Sequence, residues 1–299
     1  MRICITIMLA SVLVSSGFAQ AARSSRSSRT TAGGGRFNPG CKMPFDSKRT
    51  PFDNKCSIKG AGTAADKIAE SKAKNNFCGN ADSPVRLSSD DFLTLQKASD
   101  DLGTRKFDDR SPLHDLVTIG GNKVGEGTVV EYIAFVDDAH YSNVSKGETV
   151  NCKISGKPNN DIHIVLLQDP ADDPCTSVTA EMSPHFRPTG WTDVNVNSAE
   201  KHPIRVRGQL FFDSSHTPCR GNKRASPPRE SVWEIHPAYS FDICKKTSIE
   251  ACKNATDNDW VPVDEWRGME GEEEGGNWAT GHRQQATGSR LQGLMIFDL

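Results

Sequence analysis

Eight cysteines follow residue 21 of this chain, and they constrain its fold more than any other feature. They are Cys41, Cys56, Cys78, Cys152, Cys175, Cys219, Cys244 and Cys252. An even number predicts disulfides if the chain is exported to an oxidising compartment. Eight cysteines allow on the order of 100 pairings, so the connectivity stays open. No CxxC spacing occurs, which argues against a zinc ribbon or a thioredoxin-type redox site.

The first residues of the chain predict export. Arg2 supplies a positive start, an apolar run spans residues 3–14, and the small residues Ala19 and Ala21 fit a signal-peptidase site. We therefore predict a cleaved signal peptide over residues 1–21 and a secreted or periplasmic protein. The alternative is a membrane anchor, but the run is shorter than the roughly 18 apolar residues of a membrane span. No later stretch approaches that length, so we expect no membrane span after cleavage.

Composition divides the rest of the chain into four segments. We predict a flexible Ser/Arg/Gly linker at 22–36, a helical cysteine-containing lead-in at 37–115, a β-barrel domain at 116–256 and an acidic, Gly-rich flexible tail at 257–299. In the lead-in, "TAADKIAESKAKNNFC" and "SSDDFLTLQKASDDLG" predict helices. For the tail, the alternative is docking on the barrel through its tryptophans, Trp260, Trp266 and Trp278.

Six segments rich in branched and aromatic residues predict strands. They are 127–138, 147–155, 160–168, 177–182, 202–213 and 230–244. The connections are too short for repeated crossover helices, which favours a mostly antiparallel sheet. The predicted fold is therefore mainly β with N-terminal helices, built as a small, antiparallel, disulfide-braced barrel.

Four of these segments resemble the strands of an oligonucleotide/oligosaccharide-binding (OB) barrel: "GTVVEYIAFV", "NDIHIVLL", "IRVRGQLFFDSSH" and "VWEIHPAYSFDIC". The block at 125–245 is also similar to an uncharacterised group of secreted bacterial proteins with "DIHI", "EMxPxxR" and "WEIHP" segments. The resemblance implies an OB-like barrel and no established activity. It covers less than half of the chain and leaves out the linker and the tail.

Four pairs of a carboxylate and a nearby histidine fall in the predicted β-domain. They are Asp161/His163, Glu181/His185, Asp213/His216 and Glu234/His236. The first and last pairs alternate along a strand, so the two members share one face. Such pairs indicate structural hydrogen bonds, a ligand-binding surface, or a catalytic site with a divalent metal as candidate cofactor. For the metal, the candidate ligands are His163, His216 and His236. No HExxH or GxSxG motif supports a familiar hydrolase template.

Charge narrows the range of partners. With 36 basic and 38 acidic residues the net charge is −2, which gives no support to a nucleic-acid partner. The best basic stretch is made of Arg205, Arg207, Arg220, Lys223, Arg224 and Arg229, and its simplest interpretation is a solvated surface. Arg187, beside Phe186, is a candidate clamp for an anionic or planar ligand, with a surface arginine in a turn as the alternative.

The function that these patterns favour is an exported OB-like domain that binds an unidentified ligand. The ligand is an oligosaccharide, a nucleic acid or another polymer, or a small molecule. One alternative is a metal-dependent hydrolase acting on a phosphodiester or ester. The other is a structural protein of the cell envelope.

Overall fold

The computed structural model describes residues 36–267. The predicted signal peptide, all of the predicted linker except Arg36, and the tail from residue 268, including Trp278, lie outside the described residues.

Two helices and three short strands precede the barrel. They are α1 (Ala65–Lys74), β1 (Val85–Arg86), α2 (Ser89–Asp100), β2 (Val117–Ile119) and β3 (Asn122–Val124). Both helices lie within the segments that predict them. At the start of α2, Ser88 and Asp91 form a capping box, which satisfies backbone N–H groups that the helix leaves without partners.

Five long strands close into a barrel. The elements of this part are β4 (Val129–Tyr141), β5 (Ile162–Leu167), β6 (Val178–Met182), α3 (Asp193–Asn197), β7 (Ile204–Phe212), β8 (Trp233–Cys244), α4 (Ile249–Lys253) and β9 (Trp260–Pro262). The strand order is β4-β5-β6-β8-β7, and β7 pairs back with β4. This confirms the predicted small, mainly β barrel. Four of its pairings are antiparallel, while β6 and β8 pair in parallel because β7 lies between them in the chain.

The barrel interior is filled by apolar side chains from alternate strand positions. Fully or almost fully buried examples are Val130, Ile164, Leu166, Val206, Leu210, Trp233 and Ile235. Helix α2 covers the barrel with Phe92 and Leu95, which are completely buried in the same cluster. The ring of Phe92 packs edge-on against Tyr132 of β4.

One predicted strand is wrong. Residues 147–155 form a series of turns in the β4–β5 loop. Cys152 and Lys153 both have a φ of 56°, which lies in the left-handed region and cannot continue an extended strand. Cys152 is tied by a disulfide to Cys56, so a tertiary crosslink holds this apolar segment in a loop.

The prediction of a flexible tail is also wrong for residues 257–267. Strand β9 pairs with β8, and Trp260, Val263 and Trp266 are buried. The indole Nε1 of Trp266 donates to the carbonyl oxygen of Ser198 at 3.1 Å. The aromatic side chains therefore dock this part of the chain on the barrel, because burying them outweighs the polar composition around them.

All eight cysteines pair, as the even count predicts. The disulfides are Cys41–Cys78, Cys56–Cys152, Cys175–Cys219 and Cys244–Cys252. Four disulfides in one chain are compatible with a protein that works outside the cell or in the periplasm. Between residues 36 and 267, none of the helices has the length and apolar character needed to cross a membrane.

Candidate functional site

A cleft of about 380 Å³ lies at one end of the barrel. It is bounded by α1, by the β4–β5 loop (142–161) and by the β7–β8 loop, which begins at residue 213. These two loops correspond to the pair with which OB barrels bind their ligands. The side chains that carry charge or can exchange a proton in this barrel-end cleft are Lys67, Glu70, Lys74, Lys146, Glu148, His163, Asp213 and His216.

A group of ionisable side chains lies beneath this cleft, and we call it the acid–histidine cluster. It consists of Glu148, Asp161, His163, Glu181, Glu234 and His236. Asp161, Glu181, Glu234 and His236 are completely buried. His163 and Glu148 are slightly exposed and line the cleft, so the cluster is reached from solvent at these two residues.

Strand pairing assembles the cluster. His163 on β5 is the register partner of Glu181 on β6, and its Nε2 lies 3.2 Å from Glu181 Oε1. The same nitrogen lies 3.2 Å from Glu148 Oε1 in the β4–β5 loop. On β8, His236 Nε2 lies 3.1 Å from Glu181 Oε2 and 3.5 Å from Asp161 Oδ2. Both histidines therefore direct one nitrogen at two carboxylates.

The other nitrogen of His236 decides how that ring can be protonated. Its Nδ1 lies 2.8 Å from the carbonyl oxygen of Lys74, which can only accept, so Nδ1 carries a proton. In the neutral ring, Nε2 would then present a lone pair to the oxygens of Glu181 and Asp161. This arrangement is repulsive unless a proton or a metal cation lies between them.

Two positively charged side chains that contact the cluster do not lie on barrel strands. Lys74, at the end of α1, places its Nζ 3.0 Å from Glu181 Oε2 and 3.2 Å from Glu234 Oε1. Burial lowers the pKa of Lys74, but the carboxylates Glu181 and Glu234 outweigh it and hold the pKa well above its ordinary value. Arg229 is completely buried and lies 3.3 Å from Glu234 Oε2.

Negative charge nevertheless exceeds positive charge. Four carboxylates of the cluster, together with Asp213 at the cleft, face two lysine or arginine cations within residues 36–267, Lys74 and Arg229. Burial, helped by Glu181, raises the pKa of Glu234 to about 7. Burial also raises the pKa of Asp161, with Glu148 adding to the effect. The site therefore retains protons or binds a cation, since uncompensated buried charge is strongly unfavourable.

The excess of negative charge also raises the pKa values of the two histidines. Burial lowers the pKa of His163, but Glu181 and Glu148 outweigh it and raise the pKa to about 9. For His236, burial is likewise outweighed by Asp161 and Glu181, which raise the pKa to about 10. Without a metal, both rings are positively charged at neutral pH and supply the missing positive charge.

In the part of the chain that the structure describes, two groups of three side chains have the geometry to hold a metal ion. They are Glu148, Asp161 and His163, near the cleft, and Asp161, Glu181 and His236, deeper in the barrel. In each group one ligand atom per residue lies within 4.8 Å of the others. Asp161 belongs to both groups, and its buried Oδ1 has no hydrogen-bond partner among residues 36–267. Imidazole nitrogens combined with carboxylate oxygens suit zinc or manganese.

Most of the four carboxylate–histidine pairs predicted from the sequence do not contact each other in the structure. Only Asp213 and His216 contact each other, through His216 Nδ1, and His216 lies in neither metal-binding group. His185 is separated from Glu181: its Nδ1 lies 2.8 Å from Asp53 Oδ1, and its ring stacks on Phe37. We interpret His185 as a buried structural residue.

Arg187 is also structural. Its guanidinium donates to the carbonyl oxygens of Asn160 and Met182 at 2.9 and 3.0 Å. It therefore ties the end of the β4–β5 loop to the end of β6, and it supports the positions of Asp161 and Glu181 without facing the cleft.

Three residues of the site were missed by the sequence analysis. Lys74 reads as an ordinary residue of a predicted helix, and Glu148 lies in the segment wrongly predicted as a strand. Arg229 was grouped with the basic stretch, although it is buried against Glu234. In that stretch, Arg205 pairs with Asp242 at 3.0 Å and Arg207 with Glu131 at 2.7 Å. Arg220 pairs with Asp100 and Arg224 with Asp173, so five of the six cations have a carboxylate partner.

No family model matches this chain, and no curated protein or solved structure matches it. The similarity to uncharacterised secreted bacterial proteins therefore stays a prediction. The fold and the site together define a disulfide-braced OB-like barrel that carries a buried acid–histidine cluster beneath a cleft between its binding loops.

Proposed function

We propose that the protein is an exported, metal-dependent hydrolase that acts on a phosphodiester or ester in the barrel-end cleft. One observation carries the proposal: His236 Nε2 faces oxygens of Glu181 and Asp161, while Nδ1 is committed to the carbonyl oxygen of Lys74. A divalent cation among these atoms would satisfy the nitrogen and both carboxylates, and would offset the excess negative charge.

The group nearer the surface is the better candidate for contact with a substrate. Glu148 and His163 line the cleft, and Asp161 lies behind them with an unpartnered oxygen. A divalent ion held there would polarise the substrate and lower the pKa of a bound water. The deeper group, around His236, shares Asp161 and would hold that carboxylate in position.

Other side chains of the cleft fit the remaining tasks of hydrolysis. The Lys74 ammonium is charged and can bind an anionic oxygen of the substrate. His216 is partly exposed and is held through Nδ1 by Asp213, which is the arrangement of an oriented acid–base imidazole. Burial raises the pKa of Asp213, but Lys74 and His216 outweigh it, so the pKa stays below its ordinary value and the carboxylate stays ionised.

Calorimetric titration of the chelator-treated protein with zinc or manganese tests the metal site. We expect saturable binding, and a Kd at least about tenfold higher in Asp161→Asn, because a metal ligand is lost. Asp257→Asn is the matched control, since Asp257 is exposed and distant in sequence from the cluster. Absence of binding, or an unchanged Kd in Asp161→Asn, would contradict the proposal.

Hydrolysis of a chromogenic phosphodiester, bis(p-nitrophenyl) phosphate, tests the reaction. We expect metal-dependent turnover that is lost in Asp161→Asn and falls by about 100-fold or more in His216→Ala, in line with the usual contribution of an acid–base group. His114→Ala is the control, because His114 is exposed and is not among the residues that line the cleft.

A second function is favoured by the position of the cleft between the two loops. OB barrels use this place to bind polymers without changing them. One experiment distinguishes the two functions. A pure binding domain would retain a polymer ligand in the presence of metal and give no turnover. His216→Ala would then affect neither the retention of the polymer nor the absence of turnover.

A further inference from the structure

A second pocket, of about 480 Å³, lies behind the turn that closes the barrel-end cleft. We call it the loop pocket. It is lined by Asp100, Arg105, Thr217, Pro218, Arg220, Lys223, Arg224 and Ala225. The Cys175–Cys219 disulfide ties its loop to the segment before β6, so the pocket has a braced wall.

The loop pocket has more positive than negative charge. Four cations line it against a single carboxylate, that of Asp100, which pairs with Arg220. Arg224 pairs with Asp173 at 2.9 Å. Arg105 and Lys223 have no carboxylate within ion-pair distance among residues 36–267. Two cations in the pocket therefore lack a counter-ion.

Arg105 is the stronger indication, because it is only partly exposed. Its Nη2 donates to the carbonyl oxygens of Asp213 and His216, and its Nε is buried with no acceptor in the described part of the chain. A guanidinium stays charged in proteins, so a half-buried guanidinium without a carboxylate partner favours the binding of an anion beside it.

The same contacts connect the loop pocket to the candidate catalytic cleft. Arg105 holds the turn formed by residues 213–216 from one side, and Asp213, Ser215 and His216 line the cleft on the other side. One turn of chain therefore separates the two openings.

We propose that the loop pocket binds a phosphate group of the substrate, so that the enzyme acts on a phosphodiester with a second phosphate beyond the scissile one. The inference rests on the proposed function, because it assigns the pocket to the same substrate. Arg105 supplies a fixed positive charge and its remaining N–H donors, and Lys223 supplies a second, mobile positive charge. An uncharged ester would leave both cations without a partner.

Calorimetric titration with inorganic phosphate tests the assignment. The full-length protein is treated with chelator and measured at low ionic strength, so that phosphate cannot bind through a metal in the cluster. We expect one phosphate site whose Kd rises by about tenfold or more in Lys223→Glu, because charge reversal repels the anion. Lys123→Glu is the control, since Lys123 is exposed on β3, outside the pocket. Arg105→Gln, which removes the half-buried positive charge, should raise the Kd for phosphate at least as much.

Titration with acetate tests whether the loop pocket binds a carboxylate instead of a phosphate. It should bind at least about tenfold more weakly than phosphate, because it has fewer oxygens and less charge for Arg105 and Lys223. Phosphate binding that is unchanged in both Lys223→Glu and Arg105→Gln would overturn the inference, as would acetate binding as tight as phosphate. If the pocket variants weaken phosphate while Asp161→Asn leaves metal binding unchanged, the phosphate site stands and the hydrolase fails.

Discussion

His236 Nε2 lies 3.1 Å from Glu181 Oε2, on two strands that are not neighbours in the chain. The contact follows from the one parallel pairing of the barrel, in which Ala180 of β6 is the register partner of Ile235 of β8. The next residues along both strands, Glu181 and His236, are thereby brought side by side. Glu181 is also the partner of His163 across the antiparallel β5–β6 pairing, so this carboxylate lies at the centre of the cluster.

The double change His163→Ala and His236→Ala should abolish metal binding and destabilise the protein. Both rings would be metal ligands, and both neutralise buried carboxylates when no metal is bound. Without metal, we expect the free energy of unfolding to fall by roughly 1–3 kcal/mol for each buried bond lost. Metal analysis of the proteins and thermal melts in chelator measure the two effects, with His114→Ala as the exposed control. A double variant that keeps both metal content and melting temperature would disprove any role for this pair.

Alkylation of the unreduced protein, followed by mass spectrometry, should modify at most one of the eight cysteines from Cys41 to Cys252. The reason is that all eight lie in disulfides. Modification of four or more in protein recovered from its native compartment would show that the bonds do not form there.

The disulfides should differ in how much they stabilise the fold. Cys56–Cys152 closes a loop with a sequence separation of 96, whereas Cys244–Cys252 closes one of 8. Loop-closure entropy predicts that replacing the first pair with serines costs about 2 kcal/mol more than replacing the second. Denaturant unfolding of the two double variants measures the difference. Equal losses would indicate that residual structure or local contacts, and not loop length, set their contributions.

Gly208→Val should destabilise the barrel by about 1–3 kcal/mol or more through overpacking. A Cβ at this position of β7 would lie 2.4 Å from the carbonyl oxygen of Pro237 and 2.9 Å from Cα of Ala238, both in the adjacent strand backbone. The control is Gly221→Ala, where nothing lies within 4 Å and the only cost is a φ of 54°. An unchanged melting temperature for Gly208→Val would contradict the close approach of β7 and β8.

Glu230→Gln should stabilise the protein at alkaline pH and leave it unchanged in acid. Burial, and to a lesser extent Asp90, raise the pKa of Glu230 to about 7, although Ser89 donates to the carboxylate. Between about pH 4.5 and pH 7 the unfolded chain has lost a proton that the folded chain keeps, so this group makes stability fall as pH rises.

The variant removes that dependence. We expect the variant and the parent to have equal free energies of unfolding near pH 4.5. At pH 8 we expect the free energy of unfolding of the variant to be about 1–3 kcal/mol higher. Glu250→Gln is the control, because Glu250 is exposed. A gain that is the same at both pH values would show that the effect does not come from titration of Glu230.

The sequence by itself determined the elements that depend on near neighbours. Enrichment in branched and aromatic residues located the five barrel strands, and the Ser88 cap located the start of α2. The cysteine count predicted full pairing, since parity needs no three-dimensional information. The same local logic failed for residues 147–155 and 257–267, where a disulfide and buried tryptophans override composition.

Only the tertiary structure decided which charges meet. Asp161 and Glu234 each lie two residues before a histidine, yet Asp161 lies against His236, and Glu234 lies against Lys74 and Arg229. Alternation along a strand places side chains on a common face, but register between strands determines which of them come into contact. Lys74 lies on a helix and Glu148 in a loop, and no local sequence pattern predicts that either side chain contacts the cluster. The contacts that give the site its chemistry therefore form only when the barrel closes. Closure brings together residues that are far apart in the sequence, and the sequence around each of them does not predict its partner.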